Sequence, residues 1–241
     1  MTKSTSALLL LPNLLGEHRH HQIFLPESVS RAVSTLDGLI SESEKAGRRY
    51  LSRFETKKTP QNTPLALFNE HTPDEDIDFL LEPILNGERW GLISDAGLPC
   101  IADPGAKLVQ RARQKGISIQ AFIGPNSILL SLMLSGLPGQ KFSFNGYLDK
   151  EEGKRKKQIS LLEQRSREEG STQIFMEAPY RNQYVLTNLL EILKEETHLC
   201  AAWELTMPEQ GLLSQPVKLW KKSPLPNLEK RNTIFLIHSS S

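Results

Sequence analysis

Cysteine is scarce in this chain: two residues in 241, Cys100 and Cys200. Neither sits in a C-x-x-C or at a ligand spacing from histidine, which leaves no zinc or redox motif. Two lone thiols fit a reducing compartment better than a disulfide scaffold. Surplus charge is missing too, since 29 Lys and Arg against 28 Asp and Glu give a formal net charge of +1. Bulk charge therefore carries no argument for nucleic acid, and only local patches remain. Long apolar runs are also absent. The run 7–11, "ALLLL", is too short for the h-region of a signal peptide and is closed by Pro12. No later window approaches the ~20 apolar residues of a membrane span. A cytoplasmic protein without membrane contact is expected. Neither G-x-G-x-x-G nor G-x-x-x-x-G-K-[ST] occurs, which excludes the dinucleotide fingerprint and the P-loop. There is no G-x-S-x-G elbow. Aromatic residues make up 7%, and no stacking face for RNA bases can be picked from the sequence. The histidines of "HRHH" (18–21) are adjacent rather than spaced as ligands, so a flexible surface loop and no metal are expected.

What is present is an ordinary globular composition, 38% hydrophobic and 24% charged, long enough for one large domain or two small ones. Apolar runs at 7–11, 38–41, 64–69, 90–94 and 118–123 read as strands. Helical patterns separate them at 28–36, 46–54, 72–85 and 105–116. Thr72 reads as the cap of the third helix, with Pro73 at its first position. Strands alternating with helices predict a mostly parallel sheet, an α/β fold. After Gly124 the pattern changes. An apolar helix is followed by a strand at 141–148, a charged insertion "DKEEGKRKKQ", and a helix at 159–168. A strand at 172–178, a helix at 183–193 and strands at 198–205 and 232–239 complete the chain. Two domains are expected, 1–124 and 125–241.

The stretch "WGLISDAGLPCIADPGAKLV" (90–109) crowds small residues, two prolines and two carboxylates onto the end of a strand. Ligands of open α/β sheets bind at carboxyl ends of strands. Ala96 and Gly97 allow close approach of backbone, and Asp95 or Asp103 could accept from a hydroxyl or amine. Plain turn chemistry accounts for the same residues equally well.

The order of five segments narrows this. "GLISDAGLPCIADPG", "IGPNS", "SGLPGQKFSFNGYL", "IFMEAPYR" and "AWELT" follow one another. Together they resemble the tetrapyrrole methylase superfamily of S-adenosylmethionine-dependent methyltransferases. Within it they are most similar to the branch of small-subunit ribosomal RNA 2′-O-methyltransferases. That branch shows S-D-A-G-T-P-x-I-S-D-P-G, P-G-P, S-G-L-P, F-x-E-[SA]-P-H-R and R-E-L-T. Here Leu98 replaces Thr, Ala102 replaces Ser, Tyr180 replaces His and Trp203 replaces Arg. The first loop departs: "LLPNLLGEH" stands where the branch has T-P-I-G-N-L-x-D. The branch's A-E-D-T-R appears as "SESEK" (41–45), which keeps Glu42 but has Ser43 and Lys45.

The resemblance implies two α/β domains with S-adenosylmethionine in the cleft between them, and a homodimer. It places the cofactor loop on Ala96, Gly97, Leu98 and Pro99, then Ile101, Ala102 and Asp103. Asn126 and Ser127 follow. Met176, Glu177 and Ala178, with Trp203, Glu204 and Leu205, would pack around adenosine. A ribose hydroxyl is a poor nucleophile and gains from a base. Glu42, Glu44, Glu70, His71 and Glu177 are candidates, with Glu42 the best matched. RNA phosphates need cations, and Lys45, Arg48, Arg49, Lys154, Arg155 and Arg181 are the candidate contacts. Two other readings stay open: a tetrapyrrole or corrin acceptor, and an RNA-binding factor with a degenerate cofactor loop.

Overall fold

A computed structural model describes residues 6–18 and 20–240. The chain forms two compact units, residues 1–126 and 127–241.

The first unit is built on five parallel strands: β1 (Ala7–Leu10), β2 (Gly38–Ser41), β3 (Leu65–Leu67), β4 (Arg89–Leu92) and β5 (Ile119–Ala121). Their order is β3-β2-β4-β1-β5. Successive strand residues point to opposite faces, and here both faces are apolar. Leu9 and Leu39 join Val29 and Val33 of α1 (Glu27–Val33) and Tyr50 and Leu51 of α2 (Glu44–Leu51) in one core layer. Their neighbours Leu8 and Ile40 join Leu81 of α3 (Ile77–Leu85) and Leu108 of α4 (Ala106–Gln114) in the other. A sheet buried on both faces needs continuous apolar runs rather than alternation. That is why the strands read as unbroken apolar segments. Gly38 lies beside Trp90 in the register, and a Cβ on Gly38 would meet the indole at 2.4 Å. The missing side chain makes room for the ring.

The second unit has a mixed sheet of β6 (Phe142–Tyr147), β7 (Thr172–Met176), β8 (His198–Trp203), β9 (Gly211–Pro216) and β10 (Thr233–His238). The order is β6-β7-β10-β8-β9, with only the β6–β7 pair parallel. One face packs on α6 (Glu152–Glu169), α7 (Asn182–Ile192) and α8 (Val217–Trp220) through Phe175, Phe235, Val185, Leu189 and Trp220. The other carries α5 (Ser127–Ser135) on Ile174, Cys200 and Leu236.

Several sequence expectations are corrected. The charged segment 149–158 is not an insertion: from Glu152 onward it is the first part of α6. β9 and α8 were not anticipated. Ahead of α3 runs a 3-10 turn, Asp74–Asp76, and the Thr72 hydroxyl accepts from the Asn69 amide instead of capping a helix. "HRHH" is not a flexible surface loop throughout. His21 is buried with its ring 4.4 Å from that of Phe54, and the His18 ring lies 4.6 Å from Phe24. Arg19 falls outside the described residues. Among the described residues no His, Cys, Asp and Glu group suits a metal ion, and no helix is long and apolar enough to cross a membrane.

Candidate active site

In the first sheet β2, β4 and β1 are neighbours, so the loops leaving their carboxyl ends emerge side by side. The β4 loop explains its own composition. Gly97, Cys100, Ala102 and Gly105 all have positive φ, at 72°, 70°, 63° and 143°. Glycine tolerates that region, and small side chains limit the strain elsewhere. A Cβ on Gly105 would meet the Cys100 thiol at 2.5 Å. Gly97 and Pro99 are buried, whereas Asp95, Ala96, Ile101 and Ala102 are exposed and Leu98 and Asp103 are half-buried. Ala96, Ile101 and Ala102 are thus the cofactor-loop candidates most open to solvent.

The loop is held by a residue that sequence reasoning passed over. Asn13, buried just past β1, donates from Nδ2 to the carbonyls of Ser94 (2.9 Å) and Asp95 (3.0 Å). Its main-chain N–H donates to the Gly97 carbonyl at 2.7 Å. Its Oδ1 accepts from the Leu14 amide (2.9 Å) and from Nη1 of Arg53 (2.8 Å). The signal was an Asn directly after a Pro at a strand end, in the segment that departs from the branch's pattern. Its side-chain and main-chain donors tie the β1 loop to the β4 loop, and its acceptor joins the β1 loop to Arg53.

Glu42, between β2 and α2, accepts the Asp95 amide on Oε1 at 2.9 Å. Ser43 caps α2 by accepting the Ala46 amide at 3.2 Å, which fixes where Glu42 stands. Burial raises the Glu42 pKa above the ordinary carboxylate value, the Asp95 amide bond opposes it, and the charges of Asp95 and Glu70 add to the rise. Asp103 is pushed up to about 6, by burial first and then by Glu42. Of the other candidate bases, Glu44, Glu70 and His71 are exposed. Glu177 is buried in an ion pair with Arg181, four residues on, despite the intervening Pro179.

In the second unit, β7, β10 and β8 bring Met176, Glu177, Ala178, Trp203, Glu204 and Leu205 to one end of the three central strands. Ile234 pairs with both Met176 and Ala202, and Thr233 with Trp203. Met176 and Trp203 are half-buried and Leu205 is buried, which makes an apolar patch at that end. Glu204 is engaged with the chain start of β10, its carboxylate accepting the Asn232 amide at 2.6 Å. Asn126, buried, ends the first unit, and Ser127 opens α5 in the second.

A family profile described as Tetrapyrrole (Corrin/Porphyrin) Methylases matches residues 22–219. The chain belongs to that family. Methyl transfer is therefore the chemistry of this methylase, and methyltransferases of the family draw the methyl group from S-adenosylmethionine. It is similar to ribosomal RNA small subunit methyltransferase I of Thermotoga maritima, 31% identical over 83% of this chain and 89% of the relative. The enzyme of that name from Bacillus subtilis is 31% identical over 77% of this chain and 59% of its own. That from Haemophilus influenzae is 27% identical over 98% and 80%. Among solved structures, diphthine synthase superposes with a TM-score of 0.66 at 13% identity, covering 97% of this chain and 90% of that one. The methyltransferase CobJ gives 0.64 at 16%, covering 98% and 95%. At such identities these two show the fold alone.

The methylase's residues fit the cofactor's chemistry. S-adenosylmethionine carries a sulfonium and an ammonium against one carboxylate, and carboxylates gather around the β4 loop: burial and the charges of Glu42 and Asp95 make ionisation of Asp103 costlier, and burial and the charges of Asp95 and Glu70 do the same for Glu42. A cation placed there relieves that repulsion. The candidate RNA contacts divide differently from the sequence expectation. Lys45 and Lys154 are exposed, Lys154 paired with Glu151 at 2.7 Å. Arg49 pairs with Glu17. Arg48 is turned onto the carbonyls of Pro60 and Thr63, both at 2.6 Å, and so braces a loop. Arg155 is 1% exposed. Its Nε donates to Asn188 Oδ1 and its Nη1 to the Asp149 and Lys150 carbonyls, all at 3.0 Å, and its guanidinium lies 4.8 Å from the Tyr184 ring. A group so enclosed is not a surface phosphate ligand, and its assignment as an RNA contact is corrected. Arg181 is likewise mostly enclosed, bonded to Glu177 and to the Leu148 carbonyl.

Proposed function

We propose that this methylase transfers a methyl group from S-adenosylmethionine to a ribose 2′-hydroxyl of small-subunit ribosomal RNA. The observation that carries the reading is the likeness to ribosomal RNA small subunit methyltransferase I across 89% of the Thermotoga maritima relative. When bound, the cofactor supplies a methyl group on a sulfonium, an electrophile that needs only a well-placed nucleophile.

The β4 loop, Ala96 to Pro99 with Ile101, Ala102 and Asp103, holds the methionine end through backbone groups. In the second unit the apolar residues Met176, Ala178, Trp203 and Leu205 favour adenosine. Glu42 serves as the base that takes the hydroxyl proton. Burial and the charges of Asp95 and Glu70 raise its pKa, which makes it a stronger base than an ordinary carboxylate. Of the candidate phosphate contacts, Lys45 and Lys154 are exposed lysines. Cytoplasmic location follows from a ribosomal substrate. We further propose a homodimer, supported by the exposed apolar side chains of Met133 and Leu134 on α5.

The test uses small ribosomal subunits from cells lacking this gene and S-adenosylmethionine labelled in its methyl group. Label should enter the RNA and survive in an alkali-resistant dinucleotide, because a methylated 2′-oxygen cannot attack its own phosphodiester. Label released in ordinary mononucleotides would assign the methyl group to a base, and no label at all would refute the RNA substrate. Glu42→Gln should lower kcat with the affinity for S-adenosylhomocysteine retained.

A further inference from the structure

Tyr180 is 72% exposed, although it stands two residues beyond Ala178 in the segment where β7 ends. The backbone beneath it is firmly fixed. Tyr180 lies in a 3-10 turn, Pro179–Arg181, closed by the Arg181 amide donating to the Ala178 carbonyl at 2.8 Å. On one side Arg181 is clamped by Glu177 and the Leu148 carbonyl. On the other, the segment before β10 is stitched to the turn. Lys230 N–H donates to the Pro179 carbonyl at 3.1 Å, Asn182 Nδ2 to the Arg231 carbonyl at 2.6 Å, and Leu228 N–H to Gln183 Oε1 at 3.1 Å.

Lys230 is the second observation. It is a non-glycine residue with φ of 60°, a strained conformation that persists only where surrounding structure enforces it. The bond to Pro179 is part of that enforcement, and it sets Lys230 beside the turn that carries Tyr180. Lys230 is exposed, and among the described residues it has no ion-pair partner. An open aromatic ring and an unneutralised cation on adjoining rigid segments are the two components of a single-stranded nucleic-acid contact: a face for a base and a charge for its phosphate.

We propose that Tyr180 and Lys230 form a platform for an unpaired nucleotide of the RNA substrate, the base stacking on the Tyr180 ring and the phosphate meeting Lys230. The proposal rests on the reading of RNA as acceptor. Stacking needs the ring and not the hydroxyl, so Tyr180→Phe and Tyr180→Ala separate the role from mere occupancy.

The probe is a fluorescein-labelled oligouridylate, titrated by anisotropy against the full chain at several salt concentrations. Tyr180→Ala should weaken binding roughly 5- to 150-fold, the range of one lost base stack, with the salt slope unchanged. Tyr180→Phe should bind as the wild type does. Lys230→Ala should lower the slope of log K against log salt by about 0.7, one phosphate contact on a single strand. Binding of S-adenosylhomocysteine should stay at the wild-type value in all three, which shows that they are folded. If the wild type binds and Tyr180→Ala binds equally well, the platform is wrong and the RNA reading stands. If the wild type does not bind the probe or small-subunit RNA, both fall together.

Discussion

Replacing Asn13 by Ala tests whether the β4 loop is held in shape from the end of β1. The substitution removes two bonds donated by Nδ2, to Ser94 and Asp95, and two accepted by Oδ1, from Leu14 and Arg53. Three of these join neutral groups and are each worth about 1 kcal/mol net, and the fourth involves a guanidinium and is worth about 1.5–3 kcal/mol. The sum overstates the loss, because water can reach Asp95 and Arg53 once the amide is gone. The Asn13 main-chain bond to Gly97 also survives. A fall in unfolding free energy of about 3 kcal/mol is expected. Loosening the loop should also weaken S-adenosylhomocysteine by about 10- to 100-fold, the ordering of a few residues now being charged to binding. Asn13→Asp separates the two halves of the side chain. It keeps an acceptor for Leu14 and Arg53 but turns a carboxylate oxygen toward two carbonyls, so it should lose cofactor affinity even with the Arg53 contact intact. Urea unfolding and calorimetric titration are the assays. If Asn13→Ala unfolds within about 0.5 kcal/mol of the wild type and binds S-adenosylhomocysteine equally well, the loop does not depend on Asn13 and the reasoning fails.

Three further outcomes follow from the same geometry. Asp103 has its folded pKa raised from 3.8 to about 6, so the folded state holds its proton more tightly, and this group's contribution to stability declines as pH rises between those values. Asp103→Asn should therefore gain stability over the wild type above pH 6, with the gain shrinking toward pH 4 in urea melts; an equal difference at both pH values would contradict the burial of that carboxyl. Gly97→Val places a branched side chain at φ of 72° with Leu15 and the Pro125 carbonyl 3.3 and 3.6 Å from its Cβ, and calorimetry should show loss of S-adenosylhomocysteine binding in a chain that still folds. Arg155→Ala leaves Asn188 and two carbonyls without their donor and should cost about 3 kcal/mol in denaturant unfolding.

The parallel sheet was legible because a strand buried on both faces needs an unbroken apolar run, and Leu8–Leu9 and Leu39–Ile40 display that requirement directly. β9 was missed for the opposite reason. Gly211–Pro216 is half-buried along its whole length and mixes Gly, Ser, Gln and Pro, so neither alternation nor continuity marks it. The segment 149–158 was misread because its charged residues dominate the composition, while within it only Arg155 belongs to the buried face of α6. Apolar periodicity does not register a helix face whose first buried group is an arginine. The β4 loop announced itself by its small residues, since positive φ at four positions restricts side-chain size. Asn13 did not, because its role consists of hydrogen bonds to carbonyls some 80 positions away, and carbonyls leave no trace in a sequence.

The anchoring of Arg155 has a bearing on the conditions under which the second unit survives. Its guanidinium donates to an amide oxygen and two main-chain carbonyls, acceptors that carry no net charge and do not titrate. A guanidinium stays protonated at any pH a protein meets. The start of α6 is thus secured by a cation whose partners are fixed dipoles, a fastening that neither acid nor counter-ions can loosen from the acceptor side.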